Sequence, residues 1–213
     1  MKKSLGIIAA VLTGGAAHAG SVTFVEIAEP VIAAPVVAQP WSGLYAGGHV
    51  AFSSADGLTE LIPSLGVDIS NIRFDMTGTG YGGFVGYNIQ RGAFVFGGEA
   101  AITLGGLTFD DPDFALTFGN IIDLKARAGF TVGNALIYGV VGGAFATMSY
   151  QGFDFPSKGL AYGAGVEMSL GEHLFVGGEY LLRGLTGTNP SFPAGSSVSA
   201  NINSAQLRVG WRF

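Results

Sequence analysis

The sequence predicts an all-β fold, an antiparallel up-and-down barrel of eight strands. Three observations predict it: the composition, an apolar alternation of period two, and connections that are alternately short and long. The chain has 213 residues, of which 36 are glycine, 48% are hydrophobic, 12% are charged and none is cysteine. Such a composition excludes a disulfide scaffold and argues against disorder, and the scarcity of charge and heptads argues against a coiled coil.

The first residues are expected to be a signal peptide rather than part of the fold. Lys2 and Lys3 precede an apolar stretch over residues 5–17, and Ala17-His18-Ala19 is a pattern that signal peptidase cleaves. We therefore expect residues 1–19 to be removed on export. Residues 20–40 contain three prolines and no folding pattern, which predicts an extended Pro-rich tether before a barrel domain at 41–213.

Eight segments alternate between an apolar face and a polar or glycine-rich face, as strands with two different surroundings do. In the last of them Leu207, Val209 and Trp211 share one face, and Arg208 and Arg212 lie on the other. The predicted strands are 43–53, 80–90, 93–104, 122–132, 135–147, 160–170, 174–183 and the last eleven residues.

The connections alternate strictly in length. Tight turns with turn-forming residues are predicted at 90–92, 133–134 and 171–173. Longer connections are predicted at 54–79, 105–119, 148–159 and 184–202. In an up-and-down meander this alternation places all long loops at one end of the barrel, and the tight turns with both chain termini at the other.

The oily face of the strands carries no charge, which favours a transmembrane barrel over a soluble one. Strands of about 9–11 residues cross a bilayer when tilted, and the predicted strands have about that length. A soluble ligand-holding barrel, with Phe94, Tyr180 and Trp211 packed inside, is the alternative interpretation. With lipid outside, the aromatic residues near the strand ends, tryptophans included, are expected to form interfacial girdles.

The face opposite the oily one is predicted to carry a charge network inside the lumen. Its members are Glu99, Asp123, Lys125, Arg127, Glu167, Glu179, Arg183, Arg208 and Arg212. Because eight strands enclose an interior barely wider than its own side chains, we expect this network to plug the barrel. A narrow selective pore with a steering ring of charges is the competing hypothesis.

Glycines on the same inward face are expected to leave room for the long Arg and Glu side chains. They are Gly82, Gly86, Gly97, Gly129, Gly163, Gly165, Gly177 and Gly210.

Other classes of site find little support in the sequence. The net charge of −5 and the lack of a basic patch disfavour nucleic-acid binding. Beyond the signal peptide the histidines are His49, expected in the lumen, and His173, expected in a tight turn, so a catalytic triad at the outer rim is not expected. No metal site and no cofactor is predicted. We expect the loop acids to be solvated rather than bound to cations: Asp56, Glu60, Asp68, Asp75, Asp110, Asp111, Asp113 and Asp154, against Arg73 and Lys158.

Several motifs resemble those of a known family. Trp41-Ser42-Gly43-Leu44-Tyr45-Ala46-Gly47-Gly48 resembles the opening of small Gram-negative outer-membrane β-barrel proteins, the porin-like surface antigens related to the barrel of OmpA. Val85-Gly86-Tyr87-Asn88, Gly97-Gly98-Glu99-Ala100 and Gly178-Glu179-Tyr180 are similar in kind. The resemblance covers residues 41–213, and one departure is Ile89, where such proteins often have tryptophan.

The resemblance implies an outer-membrane protein with periplasmic termini and a non-enzymatic structural, envelope or surface role. The ending resembles the signal that the barrel-assembly machinery reads, carried here by Leu207, Val209, Trp211 and Phe213. The implied partners are outer-membrane lipid and lipopolysaccharide, the assembly machinery, and periplasmic chaperones. Contact with a host or a phage through the loops is a further expectation. A narrow diffusion channel and a lipid A-modifying enzyme are the alternatives.

Overall fold

The protein folds as a closed barrel of eight antiparallel strands, which confirms the predicted fold class. The computed structural model describes residues 41–60, 72–105, 116–150, 153–188 and 197–213, so the predicted signal peptide and tether lie outside the described residues. The strands are β1 Gly43–Glu60, β2 Ile72–Arg91, β3 Phe94–Leu104, β4 Leu116–Val132, β5 Ala135–Tyr150, β6 Phe153–Leu170, β7 Leu174–Gly187 and β8 Ser197–Arg212.

Each strand pairs with the next in the chain, and β8 pairs with β1 to close the sheet, for example through Leu207 opposite Val50. The three predicted tight turns are confirmed, and Gly92, Gly133 and Gly171 occupy them with positive φ angles that favour glycine. We call the end with these turns the turn end and the opposite end the loop end. Within the described residues, no helix is long and apolar enough to cross a membrane.

An uninterrupted apolar band surrounds the barrel. Along every strand the outward residues are hydrophobic, aromatic or glycine over a stretch of nine or eleven residues, the length that a tilted strand needs to cross a bilayer. The stretches are 44–52, 81–89, 94–102, 122–132, 137–145, 160–170, 174–182 and 205–213. The prediction that the oily faces point outward is therefore confirmed.

Aromatic side chains lie at both edges of this band. Those towards the loop end are Phe52, Tyr81, Phe145, Tyr162 and Tyr180, and those towards the turn end include Phe94, Phe130, Trp211 and Phe213. The expectation that the tryptophans join the girdles is wrong for Trp41, which is 1% exposed and lies inside the barrel. Tyr45 also points inward, because it shares the lumen face of β1 with His49.

The strands continue beyond the band at the loop end, so the predicted loop bounds are wrong. β1 reaches Glu60 rather than residue 53, and β2 begins at Ile72 rather than 80. The predicted loop 148–159 shrinks to residues 151–152 between β5 and β6. Asp56, Glu60, Arg73, Asp75, Asp154 and Lys158 consequently lie in strands, and Asp68, Asp110, Asp111 and Asp113 lie outside the described residues.

The strands are longer than predicted because the alternation of apolar and polar residues is inverted at the loop end. Beyond the band most of the described outward residues are polar, such as Ser54, Asp56 and Asn203, while inward residues at this end of the barrel form an apolar cluster, as in a soluble barrel. Main-chain pairing does not depend on which face is oily, so the ladders continue where the lipid-facing pattern stops. We call this cluster the loop-end core: Ala55, Met76, Phe118, Ile121, Ala144, Ala146, Met148, Phe155, Ala161, Leu185, Val198, Ala200 and Ile202.

Candidate functional site

Six ionisable side chains meet inside the barrel, and we call them the lumen network. They are Glu99 of β3, Lys125 and Arg127 of β4, Glu167 of β6, Glu179 of β7 and Arg208 of β8. Each lies on the inward face of its strand, and none is more than 5% exposed. With three acids and three bases the network is neutral as a set.

Lys125 joins two sides of the barrel. It lies directly opposite Glu99 in the β3–β4 ladder, and its Nζ is 2.9 Å from Oε1 of Glu99. The same Nζ donates a hydrogen bond to Oε1 of Glu179, which comes from β7. One ammonium group therefore links strands that are not neighbours in the sheet.

Arg208 contacts all three acids. Its Nη1 is 3.0 Å from Oε1 of Glu99 and 2.9 Å from Oε2 of Glu179, and its Nε is 3.4 Å from Oε1 of Glu167. Its Nη2 donates to Oε2 of Glu99, so the pair with Glu99 is bidentate. The guanidinium also lies 4.0 Å from the ring centroid of Phe84, at cation–π distance.

Arg127 completes the network with two tyrosines. Its Nη2 donates to Oε2 of Glu167 at 2.8 Å, and its Nη1 donates to the Tyr45 hydroxyl at 2.9 Å. The Tyr45 hydroxyl donates in turn to Glu99, while that of Tyr138 contacts Glu167 at 3.2 Å and Glu179 at 3.0 Å.

The two tyrosines were missed in the sequence because tyrosines near strand ends were assigned to the girdles. Their position in the alternation is the signal that could have found them, since Tyr138 alternates with the outward Ile137 and Gly139.

Asp123 and Arg183 form a separate ion pair on the loop-end side of the lumen network. The guanidinium of Arg183 donates from Nε and Nη2 to the two carboxylate oxygens of Asp123, at 2.8 and 2.7 Å. Its Nη1 donates to the hydroxyl of Ser204, which is 2.7 Å from the hydroxyl of Ser53. Both charged side chains are buried, and the pair adds a second neutral layer.

Arg212 faces inward at the turn end but does not join the lumen network. Its Nη2 donates to the hydroxyl of Ser169 and to the main-chain oxygen of Glu172. Its guanidinium lies 4.5 Å from the ring centroid of Trp41. Among the described residues no carboxylate lies within ion-pair distance of it.

Aromatic rings fill the turn end of the lumen. The rings of Trp41, Tyr45 and Phe84 each lie near that of Phe175, with centroid separations of 6.1, 6.0 and 6.2 Å. Two of the inward glycines leave room for these rings, since a Cβ atom at Gly86 would collide with Tyr45 and one at Gly210 with Phe175. At Gly177, a Cβ atom would instead meet the side chain of Glu167, as predicted.

Both described histidines are engaged by groups other than carboxylates. In the lumen, Nε2 of His49 is 2.9 Å from the Thr103 hydroxyl. At the turn end, Nδ1 of His173 is 2.9 Å from the main-chain oxygen of Arg212, and its ring stacks on Trp211. Within the described part of the chain, no three His, Cys, Asp or Glu residues come together to hold a metal ion.

The residues assigned to the assembly signal lie on the outside of β8. Leu207, Val209, Trp211 and Phe213 are all exposed, and the intervening Arg208, Gly210 and Arg212 are buried.

Comparison with known proteins agrees with this architecture. The family described as "Outer membrane protein beta-barrel domain" matches residues 7–213. No curated protein matches the chain significantly.

Among solved structures, the chain is similar to OprG of Pseudomonas aeruginosa, with 14% identity and a TM-score of 0.51 over 81% of this chain and 96% of that one. It is also similar to Ail, the attachment invasion locus protein of Yersinia pestis, with 16% identity, 81% and 99% coverage and a TM-score of 0.46. Neisserial surface protein A has 16% identity, 81% and 98% coverage and a TM-score of 0.45. These likenesses concern the fold.

Proposed function

The chain belongs to the outer membrane protein β-barrel domain family and lies in the outer membrane, and on that premise we propose that it is a non-enzymatic envelope protein with a closed lumen. In this proposal the turn end faces the periplasm, the loop end projects from the cell, and no ion path runs through the barrel. Its role is in the structure and integrity of the envelope or in surface interaction.

The observation that carries the proposal is the neutral lumen network. A fixed ring of one sign would attract counter-ions into a pore, whereas three acids and three bases already in contact satisfy one another. Separating them would leave buried charges unpaired, which costs on the order of several kcal/mol per ion. Ion pairing therefore supports a lumen that stays closed.

Two further layers support closure on either side of the network. At the turn end, Trp41, Tyr45, Phe84 and Phe175 fill the lumen with rings. At the loop end, the loop-end core adds large buried side chains, among them Phe118, Phe155 and Leu185. An ion on the lumen axis would have to cross an aromatic layer, the charged lumen network and the apolar loop-end core in turn.

Planar-bilayer recording of the refolded protein tests the proposal. We expect no sustained conductance from the wild-type protein at moderate voltage. Two variants are compared with it: Arg208→Ala removes the side chain that contacts all three acids, and the control Arg91→Ala removes an exposed arginine at the turn end. Steady open channels in the wild-type protein would overturn the proposal.

The remaining parts of the proposal concern partners. The outward apolar row of Leu207, Val209, Trp211 and Phe213 is available to the barrel-assembly machinery, and periplasmic chaperones would carry the chain to it. The strands that project beyond the band offer a polar surface for contact with lipopolysaccharide, host or phage.

The non-enzymatic assignment is supported by His49 and His173, whose ring nitrogens contact a hydroxyl and a main-chain oxygen.

A further inference from the structure

A slot lies on the outside of the barrel where the apolar band meets the polar loop end. Ala205 of β8 pairs with Tyr180 of β7 on one side and with Phe52 of β1 on the other. Because alanine has only a methyl group, a gap separates two aromatic residues that are two strands, roughly 10 Å, apart. Both aromatic side chains are about half exposed, and the cavity between and above them measures about 550 Å³.

Hydrogen-bonding groups border the slot on the loop-end side. Asn203 and Ser54 pair with each other in the next row of the sheet, and Thr77 pairs with Ser54. Thr79, which pairs with Phe52, contributes another hydroxyl. Across the described ranges, none of these four side chains has a hydrogen-bond partner, and no charged side chain lines the slot.

The same β1–β8 seam carries a second, apolar groove closer to the middle of the band. It is lined by Gly48, Val50, Gly82, Leu207 and Val209, together with His49 and Arg208, whose side chains face the lumen, and its volume is about 390 Å³. Gly48 pairs with Val209, and Val50 with Leu207, so this groove follows directly from the row of Ala205 and Phe52. The seam is therefore polar at its upper part and apolar below.

We propose that the seam binds one lipid with a sugar head group from the outer leaflet. The sugar ring lies between Phe52 and Tyr180, since two ring-to-ring contacts of roughly 5 Å fill the distance between them. Its hydroxyl and amide groups bond with Asn203, Ser54 and the two threonines, and an acyl chain runs down over Gly48. The occupant is a lipid because the slot opens on the membrane-facing surface.

Recognition in this site depends on the sugar rather than on a phosphate group. A phosphate would need a cation, and the residues that line the slot provide neutral hydroxyl and amide groups instead. The proposal rests on the orientation given in the proposed function, with the loop end in the outer leaflet, but not on the closed lumen. Bilayer conductance therefore reports on closure alone, and lipid binding reports on this site alone.

Native mass spectrometry of the detergent-purified full-length protein tests the site with three lipid probes. They are a lipid A-type glycolipid, the same glycolipid without phosphate groups, and phosphatidylethanolamine of equal chain length. We expect one glycolipid to stay bound, with or without phosphate, about tenfold more tightly than the phospholipid, the ratio given by one or two ordinary contacts. Equal retention of phospholipid, or loss of binding on removal of the phosphates, would overturn the proposal.

Variants locate the binding on the surface. Ala205→Phe fills the slot and should reduce glycolipid retention about tenfold, whereas Ala126→Phe, at an outward position of β4, should leave it unchanged. Asn203→Leu removes the amide without filling the slot and should reduce the preference for the glycolipid over the phospholipid. Heat-modified gel mobility checks that each variant is folded. If folded Ala205→Phe and Asn203→Leu both bind glycolipid as the wild type does, the site is wrong.

Discussion

Arg208 illustrates how single side chains hold the lumen together. It extends from β8 to acids on β3, β6 and β7, so one residue links four strands. Gly177 lies beside it in the β7–β8 ladder and has no side chain to obstruct it. The contribution of each charged residue thus depends on the others, because the network is neutral only as a set.

We expect Glu99→Gln to destabilise the barrel by about 3–5 kcal/mol, since it leaves Lys125 and Arg208 buried without one of their carboxylate partners. Reversible unfolding by urea in lipid vesicles measures the change.

Glu172→Gln is the matched control for this substitution. Glu172 is exposed in the turn before β7, so its replacement should change the free energy of unfolding by less than about 0.5 kcal/mol. Equal stability of the Glu99 and Glu172 variants would show that the ion pairs contribute little.

At this scale the sequence predicts the face of a residue but not its partner. Parity in the alternation places all nine ionisable residues on the inward side, because a two-residue period has two outcomes. Which acid meets which base depends on contacts across the lumen between strands that are distant in the chain, and no local pattern encodes them. The alternation therefore assigns Arg212 and Arg208 to the same charge network, although Arg212 lies against Trp41 at the turn end.

The strands themselves show two opposite patterns in succession. On β7, Leu182 belongs to the outward band, whereas Leu185, three residues later, is 1% exposed in the loop-end core. The alternation predicts all eight strands and their order, but it places the ends of several strands where the lipid-facing pattern stops. The inverted continuation was not recognised because short apolar residues such as Ala55 and Ala200 give a weak signal.

Leu185→Ala should cost about 2–5 kcal/mol of unfolding free energy, because it leaves a cavity in the loop-end core. The neighbouring outward Thr186→Ala should have little effect, since its hydroxyl makes one long contact of 3.5 Å with Ser199. Urea unfolding of both variants compares them, and equal effects would contradict a packed core in this half of the barrel.

Gly86→Ala should destabilise the barrel by about 1–3 kcal/mol, because the new Cβ would displace the Tyr45 ring that bonds Glu99 and Arg127. Gly98→Ala is the control on the outer face, where a Cβ would meet only the main-chain oxygen of Lys125 at 3.8 Å. Thermal unfolding in detergent distinguishes the two. A Gly86 variant as stable as the Gly98 variant would mean that the ring has room to move.

For the whole molecule, one closed sheet separates three environments. Its outer surface faces lipid around the band and is polar beyond it, and its interior is filled in turn by aromatic rings at the turn end, the charged lumen network and the loop-end core. Composition and parity are sufficient to predict the barrel, because the same alternation is repeated in eight strands, whereas the predicted alternation of loop lengths fails at β5–β6, which only two residues connect. The height of the wall above the membrane and the layering of the interior depend on cross-barrel packing, which the local pattern does not contain.

The central claim is that lipid surrounds a barrel whose interior is closed. Because the chain has no cysteine, single cysteines can be placed at 204, 205, 206, 207 and 209 of β8. In vesicles we expect positions 205, 207 and 209 to react with a lipid-soluble maleimide, and the inward 204 and 206 to react with neither that reagent nor a charged water-soluble thiosulfonate. Reaction of 204 and 206 with the charged reagent, or unreactive outward positions, would contradict the account.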